Sequence, residues 1–280
     1  DEPWAQDGAA VRVSFVGFDG GQETERTLSN VPVASINADL TASADVTAAR
    51  PLAENQGLSF IGTQKGGLFP AVRQRHTVED AFKPLGIEVK WIDFQFGPPL
   101  LEAINVGSVD FGFVGDTPPI FAQAGAAKVT YVAAVTSDGN TQAIIVPADS
   151  PIKTLADLKG KRVAFGKGSS AHNLLVAALD KAGLSWSDIT PTPLAPADAT
   201  VAFSRGIVDA WSIWDPYLAL AEIKDKVRVI AFDKDVHKPN AFYIAGSDFV
   251  AKYPSTVAKL NSIFAAEGKW AADHREEVAR

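Results

Sequence analysis

The chain predicts an α/β protein of two similar lobes, and three observations carry that prediction. At about 150 residues per domain, a length of 280 residues corresponds to nearly two globular units. From Leu58 onward, short apolar runs alternate with helical stretches, the strand–turn–helix rhythm of a doubly wound parallel or mixed sheet. The same rhythm restarts near Ala143 with its own turn residues, which argues for two lobes rather than one large sheet.

The opening segment, 1–56, has one strand candidate at 11–16, a glycine turn at Gly20-Gly21 and a Ser/Thr/Ala/Asp-rich stretch over 35–50. It is expected to be an appendage or an extra strand pair rather than a domain, with a flexible linker over 40–56. Strands follow at 58–62, at 87–92 with apolar residues alternating, at 109–114 and at 129–135. Between them, a helix runs to about Gln74, Gly97-Pro98-Pro99 opens a helix reaching Val106, and Asp116-Thr117-Pro118-Pro119 starts another. In the second half, strands are expected at 143–147, 162–165, 210–214, 227–232 and 241–245. A short helix at 155–158, a long one at 171–182 behind Gly166-Lys167-Gly168-Ser169-Ser170, and others at 197–205, 247–252 and 254–273 complete the reading.

Composition excludes several functions. With 46% hydrophobic and 21% charged residues the chain is globular rather than disordered, and long enough to fold without staples. Lys and Arg number 26 against 33 Asp and Glu, and a formal net charge of −7 argues against a nucleic-acid surface. No run approaches the ~18 apolar residues of a membrane span, so no stable membrane insertion is expected. The absence of cysteine rules out disulfides, thiolate metal sites and a cysteine nucleophile, and suits an exported protein. The chain has no methionine and no basic-then-apolar opening, so it is expected to have been processed, any signal segment being already absent.

Several loops share one physical property. Gly66-Gly67, Gly97-Pro98, Asp116-Thr117, Ser169-Ser170 and Ala197-Asp198 each feed a helix N-terminus. Such ends carry unpaired N–H groups and a partial positive charge, and several aimed at one crevice make an anion site without a basic side chain. Each of Asp116, Ser169 and Asp198 also reads as a simple N-cap. Gly166-Lys167-Gly168-Ser169-Ser170 is neither a P-loop nor a dinucleotide fingerprint, because the required spacings are absent. His76, His172, His237 and His274 show no metal-ligand spacing, so neither metal nor cofactor is expected. A Ser169 or Ser170 pair with His172 is conceivable as a nucleophile and base, but no nucleophile elbow accompanies it. Trp211 and Trp214, three apart in one strand, face opposite sides, one to the core and one towards a cleft. Phe96, at a strand end with Trp91 and Phe94, is placed to reach a ligand, though core packing is the default for all these aromatics. Trp214-Asp215-Pro216-Tyr217 stands out because a proline-fixed turn presents it.

The runs Thr63-Gln64-Lys65-Gly66-Gly67, Gly97-Pro98 with Leu100-Leu101-Glu102-Ala103, and Gly107-Ser108-Val109-Asp110-Phe111-Gly112 resemble the aliphatic sulfonate-binding proteins of ABC importers. So do Gly115-Asp116-Thr117-Pro118-Pro119, Asp149-Ser150-Pro151-Ile152, Asp157-Leu158-Lys159-Gly160-Lys161, Lys167-Gly168-Ser169-Ser170-Ala171-His172-Asn173 and Trp214-Asp215-Pro216-Tyr217. Each run is weak alone; together, in family order across 57–273, they are strong. The resemblance implies a two-lobed periplasmic-binding-protein fold of type II: lobe one at 57–140 plus 241–280, lobe two at 141–236, hinges near 137–143 and 233–241. Its ligand-facing loops map onto Gln64, Lys65, Phe96, Gly97, Asp116, Thr117, Ser169, Ser170, His172, Trp214 and Asp215. It further implies a monomer in the periplasm that hands a small organic sulfonate to permease subunits. Residues 1–56 have no counterpart in that pattern, and the chain stops before the C-terminal helices that usually brace lobe one.

A sulfonate is a monoanion with three acceptor oxygens and no donor, so N–H and hydroxyl groups suit it and a facing carboxylate does not. Asp116 is therefore expected to cap its helix, the apolar tail to lie against Phe96 or Trp214, and affinity to be nearly flat between about pH 5 and 8. Taurine, nitrate, a sulfate ester or a pyrimidine is the alternative ligand in the same architecture, and a Ser/His hydrolase the alternative class.

Overall fold

The structure, a computed structural model, describes residues 4–6, 9–11, 27–28, 31–32, 58–63 and 68–278. The chain divides into two compact units, Asp1–Pro51 and Leu52–Arg280. In the first, β1 (Trp4–Gln6) pairs antiparallel with β2 (Ala9–Val11), and β3 (Thr27–Leu28) with β4 (Val31–Pro32). The strand read at 11–16 is described only at Val11, where β2 ends; the rest of it, and the stretch 35–50, lie outside the described residues.

The second unit holds two five-stranded mixed sheets. The first is built from β5 (Leu58–Thr63), β6 (Glu88–Asp93), β7 (Phe111–Gly115), β8 (Val129–Thr136) and β14 (Asn240–Gly246), in the order β6-β5-β7-β14-β8. The second uses β9 (Gln142–Pro147), β10 (Arg162–Phe165), β11 (Thr190–Pro193), β12 (Ala210–Trp214) and β13 (Val227–Phe232), in the order β11-β10-β12-β9-β13. In each, three strands run parallel, β6-β5-β7 and β11-β10-β12. One strand then lies antiparallel to both its neighbours, β14 in the first sheet and β9 in the second.

Those antiparallel strands are the ones that arrive from the other sheet. The chain passes from β8 to β9 through 137–141 and returns from β13 to β14 through 233–239. The two crossings touch: Lys234 N–H donates to Gly139 C=O at 3.1 Å. Gly139 has φ +75°, and a Cβ there would lie 2.5 Å from Lys234 Cβ, so this position requires glycine.

Helices join the parallel strands and cover both sheets: α1 (Phe69–Gln74), α2 (Thr77–Phe82), α3 (Gly97–Asn105), α4 (Thr117–Ala124), α5 (Ser170–Lys181), α6 (Pro196–Ser204) and α7 (Tyr217–Lys224). After β14 come α8 (Ser247–Lys252), α9 (Pro254–Asp273) and α10 (Arg275–Val278). The first sheet packs one face with aromatics: Phe69 meets Trp91, Phe113, Tyr243 and Phe264 edge-on, and Phe111 stacks on Tyr243 and Phe264. Its other face buries Leu100, Leu101, Ile104, Val109 and Ile244. The second sheet is aliphatic, with Ile144 and Val146 facing Leu158, Val163 and Leu174. Ile145 faces Phe203, Trp211 and Ile213 on the opposite side, as the two-residue strand period requires.

Three elements were not legible. β11, Thr-Pro-Thr-Pro, was not read as a strand; its prolines are tolerated because it is an edge strand, where a missing N–H need break no ladder bond. The helix read to Gln74 ends there, but α2 resumes after His76, which sits in a left-handed conformation at φ 54°. α7 begins directly after the Asp215-Pro216 turn. Among the described residues, no helix is long and apolar enough to cross a membrane.

Candidate ligand-binding site

A cavity of about 410 Å³ opens between the two sheets. The first residues of three helices reach it: Gly97 of α3, Pro118 of α4, and Ser169-Ser170 at the start of α5. Two glycines permit this meeting. A Cβ on Gly97 would lie 2.6 Å from Pro118 Cγ, and one on Gly115 would lie 2.8 Å from Ser170 Oγ. Any larger residue at either position drives the helix starts apart.

No side chain caps any of these three helices among the described residues. The N-cap reading of Asp116, Ser169 and Asp198 is therefore corrected, and in each case geometry supplies the reason. Asp116 has helical backbone angles and turns its carboxylate to other donors, accepting Thr117 Oγ1–H at 2.8 Å and Asn173 Nδ2–H at 3.3 Å. Its Oδ2 is also 3.5 Å from His237 Nε2. Ser169 Oγ donates to Gly166 C=O at 2.6 Å. Asp198 stands inside the first turn of α6, whose N-cap position is Ala195. The uncapped starts keep backbone donors for another acceptor, though not equally. Pro98-Pro99 and Pro118-Pro119 have no N–H, so α3 and α4 offer few donors, whereas α5 has no proline in its first turn.

Among the described residues, no lysine, arginine or histidine lines the cavity; the ionisable lining groups there are Asp138 and Asp215. Burial pushes the Asp215 carboxyl up, against the Ala219 N–H that it accepts at 3.2 Å, and the charge of Glu222 adds to the rise. The exposed Asp138 carboxyl is held low by Asn140, whose N–H it accepts at 3.1 Å. The helix starts contribute partial positive charge to this cavity. Trp214 and Phe113 supply apolar wall, Trp214 standing edge-on to Tyr217 with ring centroids 6.3 Å apart. Trp211, on the opposite face of β12, is buried against Phe203.

Of the residues singled out in the sequence, Gly97, Ser169, Ser170, Trp214 and Asp215 line the cavity together. Phe96, Asp116, Thr117 and His172 do not, and Gln64 and Lys65 lie outside the described residues. Phe96 is half-buried, in extended backbone immediately before α3. The Thr117 hydroxyl is committed to Asp116. His172 sits in an aromatic stack, 4.8 Å from Phe165, 5.2 Å from Trp186 and 6.3 Å from Phe121 between ring centroids. Burial lowers its pKa, with the charge of Lys167 adding to the effect, and its Nδ1 accepts Gly168 N–H at 3.3 Å. The backbone N–H of His172 donates to Ser169 C=O at 3.0 Å, and Ser169 Oγ donates to Gly166 C=O rather than to the imidazole. Gln142 and Asn240 also line the cavity and were not found in the sequence. Gln142 is 8% exposed, and its Oε1 has no partner among the described residues. The available signal was position: each is the polar first residue of an apolar strand that follows a crossing. No group of three or more His, Asp or Glu is placed to hold a metal ion among the described residues.

The family model described as NMT1/THI5 like matches residues 81–278. An aliphatic sulfonates-binding protein of Escherichia coli (strain K12) is 43% identical over 217 residues, covering 78% of this chain and 68% of the relative. One of Bacillus subtilis (strain 168) is 36% identical over 210 residues, covering 74% of this chain and 63% of the relative. The chain thus spans about two thirds of the length of these relatives. Among solved structures, the alkanesulfonate-binding protein SsuA from Xanthomonas axonopodis pv. citri, bound to MOPS, superposes with a TM-score of 0.75 at 38% identity. That likeness covers 83% of this chain and 78% of the other.

Proposed function

We propose that this chain, which belongs to the NMT1/THI5-like family, is the ligand-capturing component of an ABC importer for alkanesulfonates. The observation that carries the reading is the meeting of three uncapped helix starts at one cavity that, among the described residues, is lined by no basic side chain. A sulfonate has three acceptor oxygens and one charge that does not titrate near neutrality. First-turn N–H groups of α3, α4 and α5, with the Ser170 hydroxyl, match that chemistry. Thr117 takes part through its backbone N–H, and the tail lies along Trp214 and Phe113. The relatives named as sulfonate binders, one of them holding MOPS, support the same head group.

The two sheets with their helices act as lobes, 57–140 plus 241–280 and 141–236, hinged on the paired crossings near 137–143 and 233–241. Closure removes water from the anion and strengthens its hydrogen bonds. The closed monomer, in the periplasm, is what the permease recognises. The relatives named as binding proteins support a role in capture rather than catalysis.

Thermal unfolding against methane- to octanesulfonate, taurine, nitrate, sulfate and a pyrimidine tests the reading. A ligand at about a hundred times its dissociation constant adds about 2.7 kcal/mol. Stabilisation by alkanesulfonates alone is expected. Silence from every sulfonate, with a shift from nitrate or a pyrimidine, overturns the substrate.

A further inference from the structure

Asp116 joins three parts of the molecule that the chain otherwise connects only through its two crossings. It belongs to the turn between β7 and α4; Asn173, 3.3 Å away, is on α5 of the other sheet, and His237, 3.5 Å away, is in the returning crossing. Both ring nitrogens of His237 are buried and have no hydrogen-bond partner among the described residues. His237 N–H donates to the C=O of Asp233 at 2.8 Å. The Asp233 carboxylate is fully buried, and its Oδ2 also lacks a partner. The charged groups facing His237 are thus Asp116 from the β7–α4 turn and Asp233 from its own segment, with Asp138 of the other crossing behind Asp233. What α5 brings to the Asp116 carboxylate is the neutral Asn173. An imidazole flanked by two carboxylates is favoured as the imidazolium.

We infer that Asp116, Asn173 and His237 form a clasp beside the cavity, next to its lining residues Gly115, Pro118 and Pro239, closed when His237 is protonated, which makes ligand capture dependent on pH. The inference rests on the sulfonate-capture reading, because that reading gives closure its function. His237 is a positioning residue here: it touches no ligand and acts by holding the α4 start, through Asp116, against α5 and the crossing. Contact with Asp116 raises the His237 pKa despite the opposing effect of burial. Burial works to raise the Asp116 carboxyl, but His237, Thr117 and Asn173 together hold it below its ordinary value. The sign follows. The clasp is complete below the ordinary histidine value of 6.5 and is lost as pH rises through the higher value of folded His237. On the acid side it is lost only as pH falls through the lowered value of Asp116. Affinity is therefore level in mild acid and falls on the alkaline side, where a site of backbone donors alone would stay flat.

The test is calorimetric affinity for hexanesulfonate between pH 5 and 9, in buffers free of sulfonates, for the wild type and His237→Gln. The wild type is expected to weaken about fivefold or more towards the alkaline end, and His237→Gln to be flat at the weaker level. Binding with the same pH profile in both proteins overturns the clasp and leaves sulfonate capture standing. If no sulfonate binds at any pH, the function fails and the clasp is judged on ligand-free unfolding. A stability advantage of the wild type over His237→Gln that is present below pH 6.5 and gone at the alkaline end upholds it. No difference at any pH overturns it.

Discussion

The two walls of the cavity carry different equipment. The first sheet presents two helix starts whose second and third residues are prolines, Gly97-Pro98-Pro99 and Thr117-Pro118-Pro119, and the one hydroxyl there is held by Asp116. The second sheet presents α5, whose first turn has no proline and begins with two serines. One wall is stiff and poor in donors; the other is rich in them. The difference teaches that prolines at helix starts do more than begin a helix: they also thin the donors that the end offers.

Forcing the walls apart gives the largest expected effect. In Gly115→Val the side chain would enter the space of Ser170, whose Oγ already lies 2.8 Å from the position of a Cβ. Sulfonate affinity is expected to fall about a hundredfold by calorimetry, in line with the cost of overpacking of about 1–3 kcal/mol. A loss below about threefold would mean that the two walls do not act together.

Next comes the donor asymmetry itself. Ser170→Ala removes a hydroxyl from the rich wall, and the affinity is expected to drop about tenfold, the worth of a hydrogen bond to a charged group. Thr117→Val removes one already satisfied by Asp116, and should cost less than about threefold. Equal losses would erase the distinction between the walls. Trp214→Ala then sharpens it by separating tail from head: about tenfold for octanesulfonate against less than about twofold for methanesulfonate. A loss independent of tail length would place Trp214 at the head group.

The smallest effect concerns His172 in ligand-free protein. Because burial lowers its pKa, the unfolded chain takes up the proton first, and stability falls as pH drops through the ordinary value of 6.5 towards the lower folded value. His172→Phe keeps a ring in the stack with Phe165 and Trp186 and should remove that acid-side loss. His237 has the opposite sign, so melting curves from pH 5 to 8 separate the two. Acid sensitivity unchanged in His172→Phe would show that His172 is not the group responsible.

Most strands and the three helix starts were legible because their cues are local. Gly-Pro-Pro, Thr-Pro-Pro and Ser-Ser sit where a strand feeds a helix, and residues 143–146 are an uninterrupted apolar run of the kind a strand buried on both faces requires. The wrong readings share the opposite property. Asp116 looked like a cap because nothing near it in sequence announces Asn173 or His237 as partners. His172 was read beside Ser169 and Ser170 at a helix start, while the rings of Phe121 and Trp186, remote in sequence, pack against it. Gln142 carries no motif and acquires its place only when β9 aligns it opposite Trp214. β11 carries no apolar alternation, only Thr-Pro-Thr-Pro, and takes strand form at the edge of its sheet, where proline is tolerated.

The strand that returns from the second sheet has a bearing on how the protein is made. Gly115 pairs with Ala241, and β8 reaches its own sheet only through β14. While the ribosome is still adding the second half, β7 and β8 have emerged but lack the strand that belongs between them. Their open edges are sticky, and pairing so distant in sequence is slow to form. The first sheet therefore closes only once every strand of the second, β9 to β13, has been translated.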